Sequence, residues 1–330
     1  MTQLLSTVFW ELLSAKKVNN MNRFLGIDTS NYTTSCACFY PESGKYVNSR
    51  RLLEVEKGKI GLRQSDALFL HTKALPEIID NACKGEGNIL AVGVSDRPRP
   101  LENSYMPCFL AGVSAASAIA SALGVKLYKF SHQAGHIAAA LFSADKLDLV
   151  GQKFISFHIS GGTTEALLTE YDSKEFFKAT VVARSLDLKM GQAIDRVGSM
   201  LGLSFPAGKE LDKLSQNGSL PMKVKVSLKG ADCSISGLEN KAQELLKKGT
   251  PKEDIAFYTI ACICETVDRM TVELKKNYGN IPFVFAGGVM SNSYIRRVIT
   301  EKHGAFFASP ELSSDNAVGI SVMTSLLQNI

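Results

Sequence analysis

Two octapeptides, one in each half of the chain, constrain the fold more than any other feature. Ile27-Asp28-Thr29-Ser30-Asn31-Tyr32-Thr33-Thr34 and Phe157-His158-Ile159-Ser160-Gly161-Gly162-Thr163-Thr164 follow one plan. In each, an apolar strand runs into a small polar turn carrying a serine and then a Thr-Thr pair at the same relative positions. Turns of this kind present backbone N–H groups in a concave nest suited to phosphate oxygens. One per half points to a duplicated fold that clasps a nucleotide between two lobes. Two unrelated β-hairpins would leave the same trace in the turn residues alone.

The surrounding pattern alternates strands with helices, which argues for an α/β class. Strands are expected at residues 24–28, 34–40, 89–95, 125–130, 154–159, 164–169 and 283–286. Helical spacing runs over 65–82 and 255–278, and a closing helix is expected over 314–327. A chain of 330 residues is long enough for two lobes. The expected division is residues 22–130 plus about 310–330 in the first lobe and 131–309 in the second. Residues 1–20 read as a poorly ordered extension: Glu11 interrupts the apolar run and the lysines follow it, unlike a secretory leader.

The charge balance narrows the partners. A net charge of +5 with 21% charged residues allows contact with RNA without the dense Lys/Arg clustering of a dedicated nucleic-acid binder. The seven cysteines include Cys36-Ala-Cys38 and Cys262-Ile-Cys264, whose spacing is not that of a zinc knuckle. They read as reduced, buried thiols of a cytoplasmic protein. Residues 106–125 carry no charge but are rich in Ala, Ser and Gly and contain Pro107, so a buried helix is expected there and no membrane span.

Four motifs carry chemistry. His132 and His136 stand at i and i+4, on one face of a helical turn, where both rings can reach one cation; Asp315 could complete the set or cap the last helix. Ser160-Gly161-Gly162 is a turn with little bulk, open to a phosphate or ribose. Phe285-Ala286-Gly287-Gly288 ends a buried strand in two glycines just before a helix, so a ligand could lie across the strand end. Asn292 then hydrogen-bonds a base or sugar, or caps that helix. Asp195 accepts from ribose hydroxyls or makes a surface ion pair, while Gly208 allows close backbone approach. His71, His158 and His303 have no evident partner.

At these residues the chain resembles the tRNA N6-adenosine threonylcarbamoyltransferase family, once called glycoprotease, from about residue 24 to 327. The landmarks occur in the family's order: Leu25-Gly-Ile-Asp-Thr-Ser30, the His132/His136 pair, Ser160-Gly-Gly162, Gly191-Gln-Ala-Ile-Asp195, Pro206-Ala-Gly208, Ser234-Ile-Ser-Gly-Leu238, Gly287-Gly-Val-Met-Ser-Asn292 and Ser314-Asp-Asn-Ala317. The resemblance implies the two-lobed actin/Hsp70/sugar-kinase fold with duplicated mixed sheets. It implies that His132, His136 and Asp315 hold one iron or zinc ion. ATP, AMP or an acyl-adenylate would contact His158, Ile159, Ser160, Gly161, Gly162, Asp195, Gly208, Gly287, Gly288 and Asn292.

The implied reaction is transfer of a threonylcarbamoyl group from its adenylate to N6 of the tRNA adenosine next to the anticodon, by an acyltransferase and not a protease. No catalytic side chain is assigned, and a protein partner, in a family-type complex or a dimer, is implied. The chain also departs from the family. The opening Glu-Thr-Ser-Cys-Asp-Glu-Thr becomes Asp28-Thr-Ser-Asn-Tyr-Thr-Thr34, Ala134 replaces the glutamate between the histidines, Thr163 replaces a histidine, and Asp96-Arg97-Pro-Arg99 occupies the Gly-Pro-Gly turn. The alternatives are therefore a paralogous carbamoyltransferase with a small-molecule or protein acceptor, or a non-catalytic nucleotide-binding partner of a true family enzyme.

Overall fold

The computed structural model describes residues 21–30, 32–54, 62–101, 104–220 and 222–328. The extension expected at 1–20 lies outside the described residues. The chain divides into two compact units. Among the described residues, one comprises 21–98, Tyr105–Phe130 and 316–328; the other comprises 99–101, 104 and Ser131–Asp315.

In the first unit, strands β1 (Asn22–Ser30), β2 (Thr33–Tyr40) and β3 (Lys45–Leu52) form an antiparallel meander. Helix α1 (Gln64–Cys83) leads to β4 (Asn88–Arg97), which pairs parallel to β1. Helix α2 (Phe109–Leu123) precedes β5 (Lys126–Ser131), giving the order β3-β2-β1-β4-β5. Strand alternation sends successive β1 side chains to opposite faces. A side chain at Gly26 would meet the backbone of Ala317 and Ser321, and one at its β4 partner Gly93 would strike Thr324. These two glycines form the flat strip on which the final helix, residues 318–328, lies. The next residue, Ile27, approaches Gly112 of α2 on the other face. The charge-free stretch at 106–125 is thus a helix packed on a sheet. Among the described residues no helix is long and apolar enough to cross a membrane.

The second unit opens with α3 (His132–Ser143), followed by β6 (Phe154–Ile159), β7 (Thr164–Asp172) and β8 (Phe176–Arg184) as an antiparallel meander. Helices α4 (Met190–Met200) and α5 (Gly208–Ser215) come next, then the small hairpin β9 (Ser227–Lys229) and β10 (Asp232–Ser234). Helices α6 (Gly237–Lys247) and α7 (Lys252–Tyr278) lead to β11 (Phe283–Ala286), α8 (Ser293–His303) and β12 (Phe306–Phe307). β11 runs parallel to both β6 and β12, so the sheet order is β12-β11-β6-β7-β8. Phe157, Phe285 and Phe307 stand in register across three strands, with ring centroids 4.6 and 5.0 Å apart. This aromatic row joins the main core under α7.

The two sheets share one plan: an antiparallel meander of three strands, extended from its first strand by two more, the nearer of them parallel to it. Each octapeptide of the echo forms the β1–β2 or β6–β7 turn, so the echo marks a duplicated sheet and not an accident of turn composition. The closing helix, α9 (Val318–Gln328), starts four residues later than its sequence pattern suggests. Asn316 Oδ1 accepts the Val318 N–H at 3.0 Å, the capping part that the sequence had offered to Asp315.

Candidate metal and nucleotide site

Ser131 ends β5 and caps α3: its Oγ accepts the Ala134 N–H at 3.2 Å. The cap fixes the first helical turn and with it His132 and His136, one turn apart. Their Nε2 atoms lie 2.9 Å from each other. Asp315 Oδ1 lies 3.3 Å from His136 Nε2 and 3.7 Å from His132 Nε2. Its segment is tied down upstream, where Ser309 N–H donates to Ser143 Oγ at the far end of α3 and Arg296 Nη1 donates to the Ala308 carbonyl.

Three ligand atoms on a tetrahedral ion at 2.0–2.2 Å would stand about 3.4 Å apart, close to these separations. Two imidazoles and one carboxylate suit zinc with an open position or non-haem iron(II), and offer no thiolate for softer metals. The donor set therefore fits the implied ion. His158 of β6 stands beside it, its ring 5.1 Å from that of His136. Burial, reinforced by His136, pushes its pKa down to about 3 against the opposing pull of Asp315, so it is neutral at physiological pH.

The second cluster is built from backbone. Ser160 N–H donates to the Thr163 carbonyl at 2.8 Å, closing the β6–β7 turn, and Thr163 N–H donates to Ser160 Oγ. The start of α4 presses on that turn: Gly191 N–H donates to the Ser160 carbonyl, and a side chain at Gly191 would sit 2.6 Å from the Gly161 backbone. Gly287 (φ 100°) lies against the Ile159 carbonyl, leaving no room for a side chain. By contrast, Gly161, Gly162, Gly208 and Gly288 are exposed, lack positive φ, and have nothing within 4 Å of where a Cβ would stand. The fold does not require glycine at these four positions, whereas a ligand approaching the backbone there would.

Two side chains expected to meet the ligand are engaged with the protein. Asp195 Oδ1 accepts the Ala207 N–H at 2.9 Å, a bond that ties it to the turn before Gly208. Asn292 takes its capping role: Oδ1 accepts the Ile295 N–H, and Nδ2 donates to Asp212 Oδ1 at 2.7 Å. Both hold the frame that carries Gly208 and Gly288. Asp212, four residues beyond Gly208 on α5, was not legible as a site residue, its only signal being that spacing.

A family model described as TsaD, tRNA N6-adenosine threonylcarbamoyltransferase, matches residues 104–322. The tRNA N6-adenosine threonylcarbamoyltransferase of Thermosipho africanus (strain TCF52B) is 30% identical over 318 residues, covering 90% of this chain and 92% of that protein. The chain belongs to the tRNA N6-adenosine threonylcarbamoyltransferase family. Two solved structures share its fold at low identity. Full-length HypF in the phosphate- and nucleotide-bound form has a TM-score of 0.56 at 15% identity, over 94% of this chain and 56% of that one. A ROK family glucokinase from Streptomyces griseus, in complex with glucose and AMPPNP, has a TM-score of 0.51 at 12% identity, over 92% and 99%. With the duplicated sheets, these establish the actin/Hsp70/sugar-kinase class.

The departures from the family pattern now have places. Ala134 is buried on α3 and cannot serve as a base. Asp187 accepts from the N–H groups of Leu188, Ile235 and Ser236 and from Ser236 Oγ; burial opposes its charge, but these bonds outweigh burial and lower its pKa. It thereby ties the entry of α4 to the Ser234-Ile-Ser-Gly-Leu motif of the family. Arg99 pairs with Glu165 at 3.0 Å and Arg97 with Asp96, so each arginine already has an acid beside it. The remaining histidines have partners far along the chain: His71 Nδ1 lies 2.8 Å from Thr34 Oγ1, and His303 Nε2 lies 2.6 Å from Asp268.

Proposed function

We propose that this protein transfers a threonylcarbamoyl group from threonylcarbamoyl-adenylate to N6 of the tRNA adenosine beside the anticodon. Membership of a family of acyltransferases supports the reaction. The convergence of His132, His136 and Asp315 within bonding distance of one ion carries the site assignment. A divalent ion bound there, iron or zinc, would supply Lewis acidity to the acyl carbonyl and an adjacent phosphate oxygen.

The chain's own part is positioning. Ser131 and the Ser143–Ser309 bond hold the three donors in place before any ion arrives. The open backbone at Gly161, Gly162, Gly208 and Gly288 receives the adenylate, with Asp195 and Asn292 fixing the turns from behind. Neutral His158 faces the donor set as a polar but uncharged wall, which leaves the field there to the ion and the phosphate. With Ala134 in place of an acid, no side chain between the ligands activates water, so the adenylate is shielded from hydrolysis by this route.

The test is rescue of threonylcarbamoyladenosine in a strain depleted of its own enzyme, read by mass spectrometry of tRNA nucleosides. Rescue by the wild type and its loss in His132→Ala and Asp315→Ala is the expected result. Failure of the wild type, with metal and AMP binding intact, would favour the paralogue with another acceptor, a reading favoured by Tyr32, Thr33 and Thr163 at the family's acidic and histidine positions.

A further inference from the structure

Phe205 is the most exposed large apolar side chain among the described residues, 84% open to solvent. It does not sit on a slack loop. Leu203 N–H donates to the Gly198 carbonyl at 2.9 Å, Ser204 N–H to Glu210 Oε2 at 3.3 Å, and Ala207 N–H to Asp195 at 2.9 Å. Ala207 is buried against Gly198, where a side chain would clash with it. The backbone is thus pinned on both sides of a ring that touches no other aromatic or cationic side chain among the described residues.

The neighbourhood is basic where it is free. Lys209 and Lys213, four residues apart on α5, share one exposed side of the helix, and neither forms an ion pair among the described residues. Of the acids of the same helix, exposed Glu210 accepts the Ser204 N–H and half-buried Asp212 accepts from Asn292 Nδ2. The loop is also continuous with the nucleotide frame, since Asp195 and Gly208 belong to both.

We propose that Phe205 is a stacking platform for an unpaired nucleobase of the acceptor RNA, with Lys209 and Lys213 on the adjoining phosphates. The inference rests on the RNA-acceptor reading above and names the contact that reading lacks. A rigidly presented ring offers its π-face to any base, and two lysines without ion pairs on the helix that follows it, four and eight residues along the chain, match the anionic backbone that accompanies it.

The test uses the full chain and an RNA stem-loop with an unpaired adenosine 3′ of the anticodon triplet, with affinity measured by fluorescence anisotropy over a salt series. Phe205→Ala should weaken binding about 5- to 150-fold, Phe205→Trp should restore it, and Phe205→Leu, which keeps apolar bulk without a π-face, should not. The Lys209→Ala/Lys213→Ala pair should flatten the salt slope by about 1.4–1.8. AMP affinity, measured by calorimetry on the same variants, should stay unchanged. Unaltered RNA affinity in Phe205→Ala would overturn the contact while leaving the RNA reading in place. Leucine serving as well as phenylalanine would mean an apolar contact with the RNA and no stacking, and a parallel loss of AMP binding would point to the base of the small nucleotide; either overturns the assignment. A wild type that binds no RNA would bring down the acceptor reading as well, a result distinct from the other three.

Discussion

Glycine does two different jobs at the Ser160–Gly162 turn and at the strand end beside it. Gly287 is demanded by the fold: positive φ and the Ile159 backbone together leave no place for a methyl group. Gly287→Ala should therefore cost about 2 kcal/mol or more in chemical denaturation. Gly161 and Gly208 have open space and ordinary φ, so alanine there should shift stability by less than about 0.5 kcal/mol. If a nucleotide lies on that backbone, the same two variants should lose about tenfold in AMP affinity by calorimetry. Full affinity in both would remove them from the site. Cysteine chemistry is equally local. Cys38 and Cys83 Sγ atoms are 3.9 Å apart, and all seven thiols are free. Hydrogen bonding from Cys38 and the nearby Arg23 guanidinium lower the Cys83 pKa to about 7 against its burial, while the shared hydrogen bond and burial push Cys38 up. Cys83 should be alkylated by iodoacetamide before any other cysteine at pH 7.5, as peptide mapping at short times would reveal.

At the scale of elements, α7 and α8 are joined through one carboxylate. Asp268 of α7 accepts from His303 and Lys302 at the end of α8, both at 2.6 Å. Burial disfavours its charge, but the two hydrogen bonds prevail and its pKa is lowered. The sign of the linkage follows: the deprotonated form is favoured by folding, so the stabilisation is present above the ordinary carboxylate pKa and fades as pH falls through the lower folded value. Asp268→Ala should cost about 2–3 kcal/mol near neutrality, and the gap to wild type should close below about pH 4; a gap independent of pH would show that packing, not the charge, joins the helices. This tie was invisible in the sequence, because His303 finds its partner on another helix. The same limit explains other misses. β3, Lys-Tyr-Val-Asn-Ser-Arg-Arg-Leu, has no apolar alternation and is extended because β2 offers it a ladder. β1, β2, β6, β7 and α7 were legible because each buries a continuous or periodic apolar run. The histidine pair was readable from i,i+4 spacing alone. What brings Asp315 to it, the Ser309–Ser143 bond, spans the whole second unit. Asn292 and Asp195 were each read as ligand contacts with a structural alternative; Asn292 caps its helix as the alternative had it, and Asp195 Oδ1 accepts the Ala207 N–H, a bond that the sequence did not show.

For the whole molecule, duplication sets what one half can do without the other. Both units carry the same sheet order, yet the three donors to the proposed ion, and every glycine of the open frame, come from the second. The matching turn of the first unit carries Asp28, Thr29, Ser30, Thr33 and Thr34, all buried, with Asp28 accepting the Ser30 N–H at 2.9 Å. The duplicated plan has thus diverged, one turn open and glycine-rich, the other flanked by buried polar side chains. Metal binding should then stabilise the units unequally. At a free Zn2+ concentration 100 times its Kd, linkage supplies about 2.7 kcal/mol to the form that holds the three donors together. For a unit of about 190 residues, that corresponds to a rise in Tm of roughly 5–11 °C. Hydrogen exchange should slow first in α3 and around Asp315, with β1–β4 lagging, and His132→Ala should abolish both effects. Equal protection of the two units, or a shift that persists in His132→Ala, would mean that zinc binds elsewhere and that His132, His136 and Asp315 meet for another reason.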